Sequence, residues 1–79
     1  MTESTQVAIA APKPEPTPAV RMTLDALRAV IARDEWASVR AVAKERNCSI
    51  STAHAQLVWL RNAGYITWVT GRPNTMRIA

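Results

Sequence analysis

The sequence predicts an α+β domain of three helices and a C-terminal β-hairpin, preceded by a proline-rich tail over residues 1–21. Three observations carry this. Apolar residues recur at helical spacing in three stretches, the last two divided only by Asn47-Cys48-Ser49. Residues 65–70 then switch to alternation, with turn chemistry in Gly71-Arg72-Pro73-Asn74 and a second short run to Ile78. Pro12, Pro14, Pro16 and Pro18 occupy alternate positions, which removes backbone donors and opposes helix geometry.

The tail is therefore expected to be extended, solvated and disordered, and residues 22–79 to form the domain. Thr23 reads as the N-cap of the first helix, with Asp25 in its favourable first turn. Leu24, Leu27, Val30 and Ile31 give that helix one apolar face, while Arg28 and Arg33 fall off it. It should end near Arg33 or Asp34 and serve as a scaffold behind the next two helices.

Ser38 can cap the second helix, which runs to about Arg46 with Val39, Val42 and Ala43 inward. Arg40, Lys44 and Arg46 point elsewhere. Asn47 stands where a tight turn wants a left-handed residue, which asparagine tolerates. Cys48 is then expected as a small buried thiol rather than a nucleophile.

Ser49 caps the third helix, whose body covers about residues 50–63. Ala53, Leu57 and Leu60 make its buried stripe, and Gly64 sits where a left-handed cap ends a helix. The opposite face carries Ser51, Thr52, His54, Ala55, Val58, Trp59 and Asn62, with Gln56 near its N-terminal end. In the hairpin, Ile66 and Trp68 share one side of the first strand, and Tyr65, Thr67 and Val69 the other. Residues 75–78 form the returning strand.

Length and composition set bounds. Seventy-nine residues allow one small domain of modest stability. A single cysteine excludes an intramolecular disulfide, and a single histidine excludes a Cys/His zinc set. A reducing, cytoplasmic location fits. No apolar run approaches a membrane span, and a secretory signal is not expected. The net charge is +4 and the isoelectric point about 10.2. Residues 36–79 hold six basic side chains (Arg40, Lys44, Arg46, Arg61, Arg72, Arg77) and one acid, Glu45. That imbalance favours a polyanionic partner.

Helix, tight turn, helix, strand is the order of a helix-turn-helix, whose second helix enters a DNA groove. The candidate DNA-binding residues are Arg40, Lys44, Ser49, Ser51, Thr52, His54, Ala55, Arg61 and Arg72. Small hydroxyl residues and His54 can approach base edges, and a helix N-terminus attracts phosphate. Arg40, Lys44 and Arg46 can reach phosphates or remain ordinary solvated charge. Arg72 suits a minor groove or a phosphate, against the plainer reading of an exposed turn arginine. Val58 and Trp59 put apolar area on a face that periodicity calls exposed. They either pack against the first helix or the hairpin, or bind a partner.

The run SVRAVAKERNCSISTAHAQLVWLRNAGYI, followed by a strand and a GRP turn, resembles the winged helix-turn-helix domains of bacterial and phage regulators. It is most similar to the DNA-binding domain of LexA-type repressors, through VRxxA in the second helix, STxH opening the third, and GYI leading to the GRP wing. The resemblance covers residues 24–78. It implies sequence-specific binding of double-stranded DNA, commonly as a homodimer on a two-fold site, in the nucleoid. Ser51, Thr52, His54 and Ala55 match the groove-facing start of the recognition helix, and Arg72 matches the wing arginine. Domains of this kind often place a very short strand at Trp36 and Ala37, paired with the wing, which would make Trp36 a core or edge-packing residue. Two departures stand out: the turn before the third helix is one residue shorter, and the self-cleaving Ser-Lys protease domain is expected to be absent. A winged-helix reader of Z-DNA fits poorly, because Met76 and SISTAHA lack the tryptophan and the asparagine-tyrosine pair of those domains.

A second class of function is a winged-helix interaction module that docks a protein of the transcription machinery through Val58, Trp59 and Trp68. An enzyme is not expected. Asp25, Asp34, Glu35 and Glu45 are scattered, and no Ser-His-Asp or Cys-His arrangement, phosphate-cradling glycine loop or metal cluster is present. No cofactor is implied.

Overall fold

A computed structural model describes residues 13–33, 36–72 and 75–79. Among them the chain is a small α+β domain with three helices and a two-stranded antiparallel hairpin at the C-terminus. The elements are α1 (Pro18–Ala32), α2 (Val39–Arg46), α3 (Ile50–Asn62), β1 (Ile66–Thr67) and β2 (Arg77–Ile78).

The first helix starts earlier than expected. Thr17, not Thr23, is its cap: the Thr17 hydroxyl accepts from the Val20 N–H at 3.3 Å. Pro18 occupies the first turn, where its missing N–H is no loss and its fixed φ suits a helix. Alternating prolines thus end in a helix start, and the folded domain begins inside the stretch assigned to the tail. Residues 13–17 return along the domain, with the Tyr65 hydroxyl donating to Pro14 O at 2.7 Å and Lys13 Nζ 5.1 Å from the Tyr65 ring centre. Residues 1–12, the rest of the expected tail, lie outside the described residues.

Thr23 is instead fully buried in mid-helix, at 0% exposure. Its hydroxyl donates to Gln56 Oε1 of α3. Arg46 at the end of α2 donates through Nη1 to Gln56 Oε1 at 2.6 Å and to Ala19 O at 3.0 Å, and also to the Thr23 hydroxyl. One polar clasp therefore ties all three helices. Two expectations change with it. Arg46 is turned into the fold rather than towards phosphate, and Gln56 leaves the face that would read bases. A polar cluster in this position is stabilising while every member is satisfied, and Arg46 Nε is buried without a partner among the described residues.

The two later helices end alike. Asn47 adopts the left-handed conformation (φ 58°, ψ 49°), with its N–H on Lys44 O and the Cys48 N–H on Ala43 O. Gly64 has φ +91°, with its N–H on Arg61 O and the Tyr65 N–H on Leu60 O. Both are Schellman ends, which satisfy the orphan carbonyls of a final turn. The caps at the other ends follow the sequence: Ser38 accepts from the Ala41 N–H at 3.0 Å, and Ser49 from the Thr52 N–H at 3.1 Å.

Leu27 and Val30 of α1, Val42 of α2, Leu57 and Leu60 of α3 and Ile66 of β1 form the buried centre. Val39, Trp59, Tyr65 and Trp68 pack partly buried around it. Cys48 is only half-buried and lies outside this centre, against expectation. Trp36 is also corrected: it is 77% exposed, and residues 36–38 form no strand. The Ser38 N–H bonds back to Trp36 O at 2.9 Å, so the link curls sharply and carries Ala37 inward in its place.

The hairpin pairs Ile66 with Ile78 and Thr67 with Arg77. The ladder is shorter than the alternation over 65–70 suggests. Beyond it the Thr75 hydroxyl takes over, accepting from the Val69 N–H at 2.9 Å. The chain turns at 69–72, where the Arg72 N–H bonds to Val69 O at 3.0 Å and Gly71 has φ +82°. That is the type II arrangement, which wants glycine third. Pro73 and Asn74, part of the expected turn, lie outside the described residues.

Candidate functional site

The exposed surface of α3 is what its buried stripe leaves over. Ala53, Leu57 and Leu60 are fully buried. At about 100° per residue, Ser51, Ala55 and Asn62 then fall directly opposite. His54 and Arg61 take one flank, Thr52 and Trp59 the other. Ser51, Thr52, His54, Ala55, Arg61 and Asn62 are exposed, and Val58 is half-buried. The N-terminal part of this face is small and polar, so a partner could approach the helix closely.

Ser49 and Thr52 fix one another. The Ser49 hydroxyl accepts the Thr52 N–H and donates to Thr52 Oγ1 at 2.9 Å, which leaves the Thr52 hydroxyl as a donor. Ser49 is thus chiefly a cap, exposed beside the outer face.

Cations border this face where it meets the hairpin. On the hairpin side, His54 opens onto a cleft of about 240 Å³, shared with Ala37, Ser38 and Val39 below and with Trp68, Arg72, Thr75 and Met76 of the hairpin. The Arg61 guanidinium lies 4.5 Å from the centre of the Trp68 ring, within cation–π range. His54, Arg61 and Arg72, far apart in sequence, are therefore gathered at the junction of α3 and the hairpin. On α2, Arg40 and Lys44 are exposed and line a separate groove with Arg33, Trp36 and Glu45. Glu45, the one acid of residues 36–79, is held by Arg33 at 2.7 Å. The pair is half-exposed and adds little stability, but it sets a cation against the acid nearest these two.

The apolar candidates do not form one patch. Trp59 stacks on Tyr65, with ring centres 6.3 Å apart and planes at 14°. Trp68 lies on the opposite flank of α3, under Arg61. Sequence reasoning missed the exposure of Trp36 and the Arg46–Thr23–Gln56 clasp. Thr23 stood on the apolar stripe of α1, one turn before Leu27, which was the available signal for its burial.

Comparison with protein families, with curated proteins and with solved structures found no match to this chain. Among the described residues, no group of three or more His, Cys, Asp or Glu could hold a metal ion, and no helix is long and apolar enough to cross a membrane.

Proposed function

We propose that this chain is a winged helix-turn-helix domain that binds double-stranded DNA sequence-specifically and regulates transcription, as bacterial and phage regulators do. The likeness to LexA-type repressors, a homodimer on a two-fold site and a nucleoid location belong to the same proposal. The observation that carries it is the division of α3: its inner face is spent on the core, and its outer face is small, polar and bordered by Arg61 and Arg72 where it meets the hairpin. In this reading Ser51, Thr52 and Ala55 meet base edges in the major groove. Arg40 and Lys44 hold phosphates on one side. The hairpin is the wing, and Arg72 near its tip takes the backbone or minor groove on the other.

Neutralising about four to six phosphates gives a log–log salt slope of about −4 to −5. Fluorescence anisotropy of a labelled duplex between low and moderate salt tests this. Absence of any salt-dependent binding at low ionic strength removes the reading.

The competing reading, partner docking through Val58, Trp59 and Trp68, has less support. Both indoles are engaged within the domain, Trp59 by Tyr65 and Trp68 by Arg61. A Trp59→Ala variant that loses capture of a transcription protein but keeps duplex binding would favour it.

A further inference from the structure

We propose that the cleft between α3 and the hairpin is a binding site for a small aromatic carboxylate. Its walls are Ala37, Val39, Met76 and the Trp68 ring, and its volume of about 240 Å³ suits a single or small fused ring. Pockets that hold small molecules share this make-up: apolar walls with a few convergent polar groups.

The polar groups sort into two kinds. The Ser38 hydroxyl is committed to the cap of α2, and the Thr75 hydroxyl to the Val69 and Arg72 backbone. Thr75 thus both accepts and donates within the fold, while Ser38 accepts and keeps its own O–H as a donor. His54 and Arg72 reach the cleft from different elements, and among the described residues neither side chain has a hydrogen-bond or ion-pair partner. No described lining residue is acidic, and Arg61 adds a further cation over Trp68. A flat ring therefore meets apolar walls and an aromatic face, and one anionic group meets the Arg72 guanidinium and the His54 imidazole. A bare phosphate satisfies the second half of this site and leaves the first half empty.

The site stands without the DNA reading, but its consequence rests on it. His54 borders the outer face of α3 and Arg72 lies near the hairpin tip, so an occupied cleft competes with duplex for both.

The test is an amide-resolved NMR titration of the intact ¹⁵N-labelled chain with 2-naphthoate. Its neutral amide and inorganic phosphate are the controls. Saturable shifts should map to Ala37, Val39, His54, Met76 and the Trp68 indole, with a Kd of about 1 mM or tighter for so small a ligand. The amide should bind about tenfold more weakly, and Arg72→Gln should weaken naphthoate about fivefold or more. Three results would overturn the proposal: shifts elsewhere, equal binding of the amide, or phosphate reproducing the naphthoate shifts. A second arm adds saturating naphthoate to the duplex titration, where duplex affinity should fall severalfold. If naphthoate fills the cleft and no duplex binds, the DNA reading fails alone. If duplex binds and naphthoate leaves the cleft unmoved, the ligand site fails alone.

Discussion

The inner and outer faces of α3 share one backbone of 13 residues, about 20 Å long, yet they do opposite things. Ala53, Leu57 and Leu60 are fully buried, and Gln56 between them is clasped by Thr23 and Arg46. Ser51, Ala55 and Asn62 are exposed. The inner face fixes the rotation of the helix through both packing and a polar contact to each of the other helices. The outer face can then vary at little cost to the fold. Any function of α3 is therefore separable from its stability, and substitutions can be chosen to break one and spare the other.

The largest effect is expected from the inner face. Leu57→Ala removes a fully buried side chain at the meeting of α3 with the core and should cost about 2–5 kcal/mol by urea unfolding. In a domain of this size, that approaches global unfolding. Gln56→Ala takes the shared acceptor from Thr23 and Arg46 and should cost about 1–3 kcal/mol in the same measurement. A loss within error would show that the clasp is not what orients α3. Asn47→Ala forces a β-carbon without asparagine's tolerance into φ 58° and should cost about 1 kcal/mol, read as a lowered Tm, whereas Asn47→Gly should cost little.

The smallest effect on stability, and the sharpest on binding, belongs to the outer face. Thr52→Ala should shift stability by about 0.5–1 kcal/mol, since Thr52 Oγ1 only accepts from the exposed cap Ser49. On the proposed reading it should change preference between duplexes rather than weaken all of them. Arg40→Ala should do the reverse, weakening every duplex alike and reducing the salt slope by about 1. Anisotropy on a small panel of duplexes separates the two. If both variants bind as the parent does, the outer face is not the contact surface.

What was legible in the sequence was local. Ser38, Asn47, Ser49 and Gly64 act through hydrogen bonds within a few residues of themselves, and composition alone places such residues at helix ends. The stripe of Ala53, Leu57 and Leu60 is likewise a matter of period. What was not legible depended on distance or on competition between local rules. Thr23 was read as the cap because the alternating prolines argued against a helix upstream of it, whereas Thr17 is the cap. The decision lay in Val20, which is buried alongside Leu24 and extends the apolar stripe one turn upstream. Arg46 looked like a surface cation because its partners, Ala19, Thr23 and Gln56, lie 10 or more positions away. Trp36 was expected to pack in the core or at an edge because the resemblance placed a short strand at Trp36 and Ala37, but the sharp bend that bonds Ser38 to Trp36 turns Ala37 inward and the indole out. The candidate site was legible in its membership more than in its arrangement. Ser51, Thr52, His54 and Ala55 followed from the stripe they oppose, whereas the gathering of His54, Arg61 and Arg72 needed the hairpin's position.

Sequence-specific duplex binding by the outer face of α3 is decided by selection of bound duplexes from a random pool, run in parallel on the parent chain and on Thr52→Ala. The parent should enrich one consensus, palindromic if two copies bind, and the variant a consensus altered at one position. Failure of the parent to enrich any sequence would contradict sequence-specific binding.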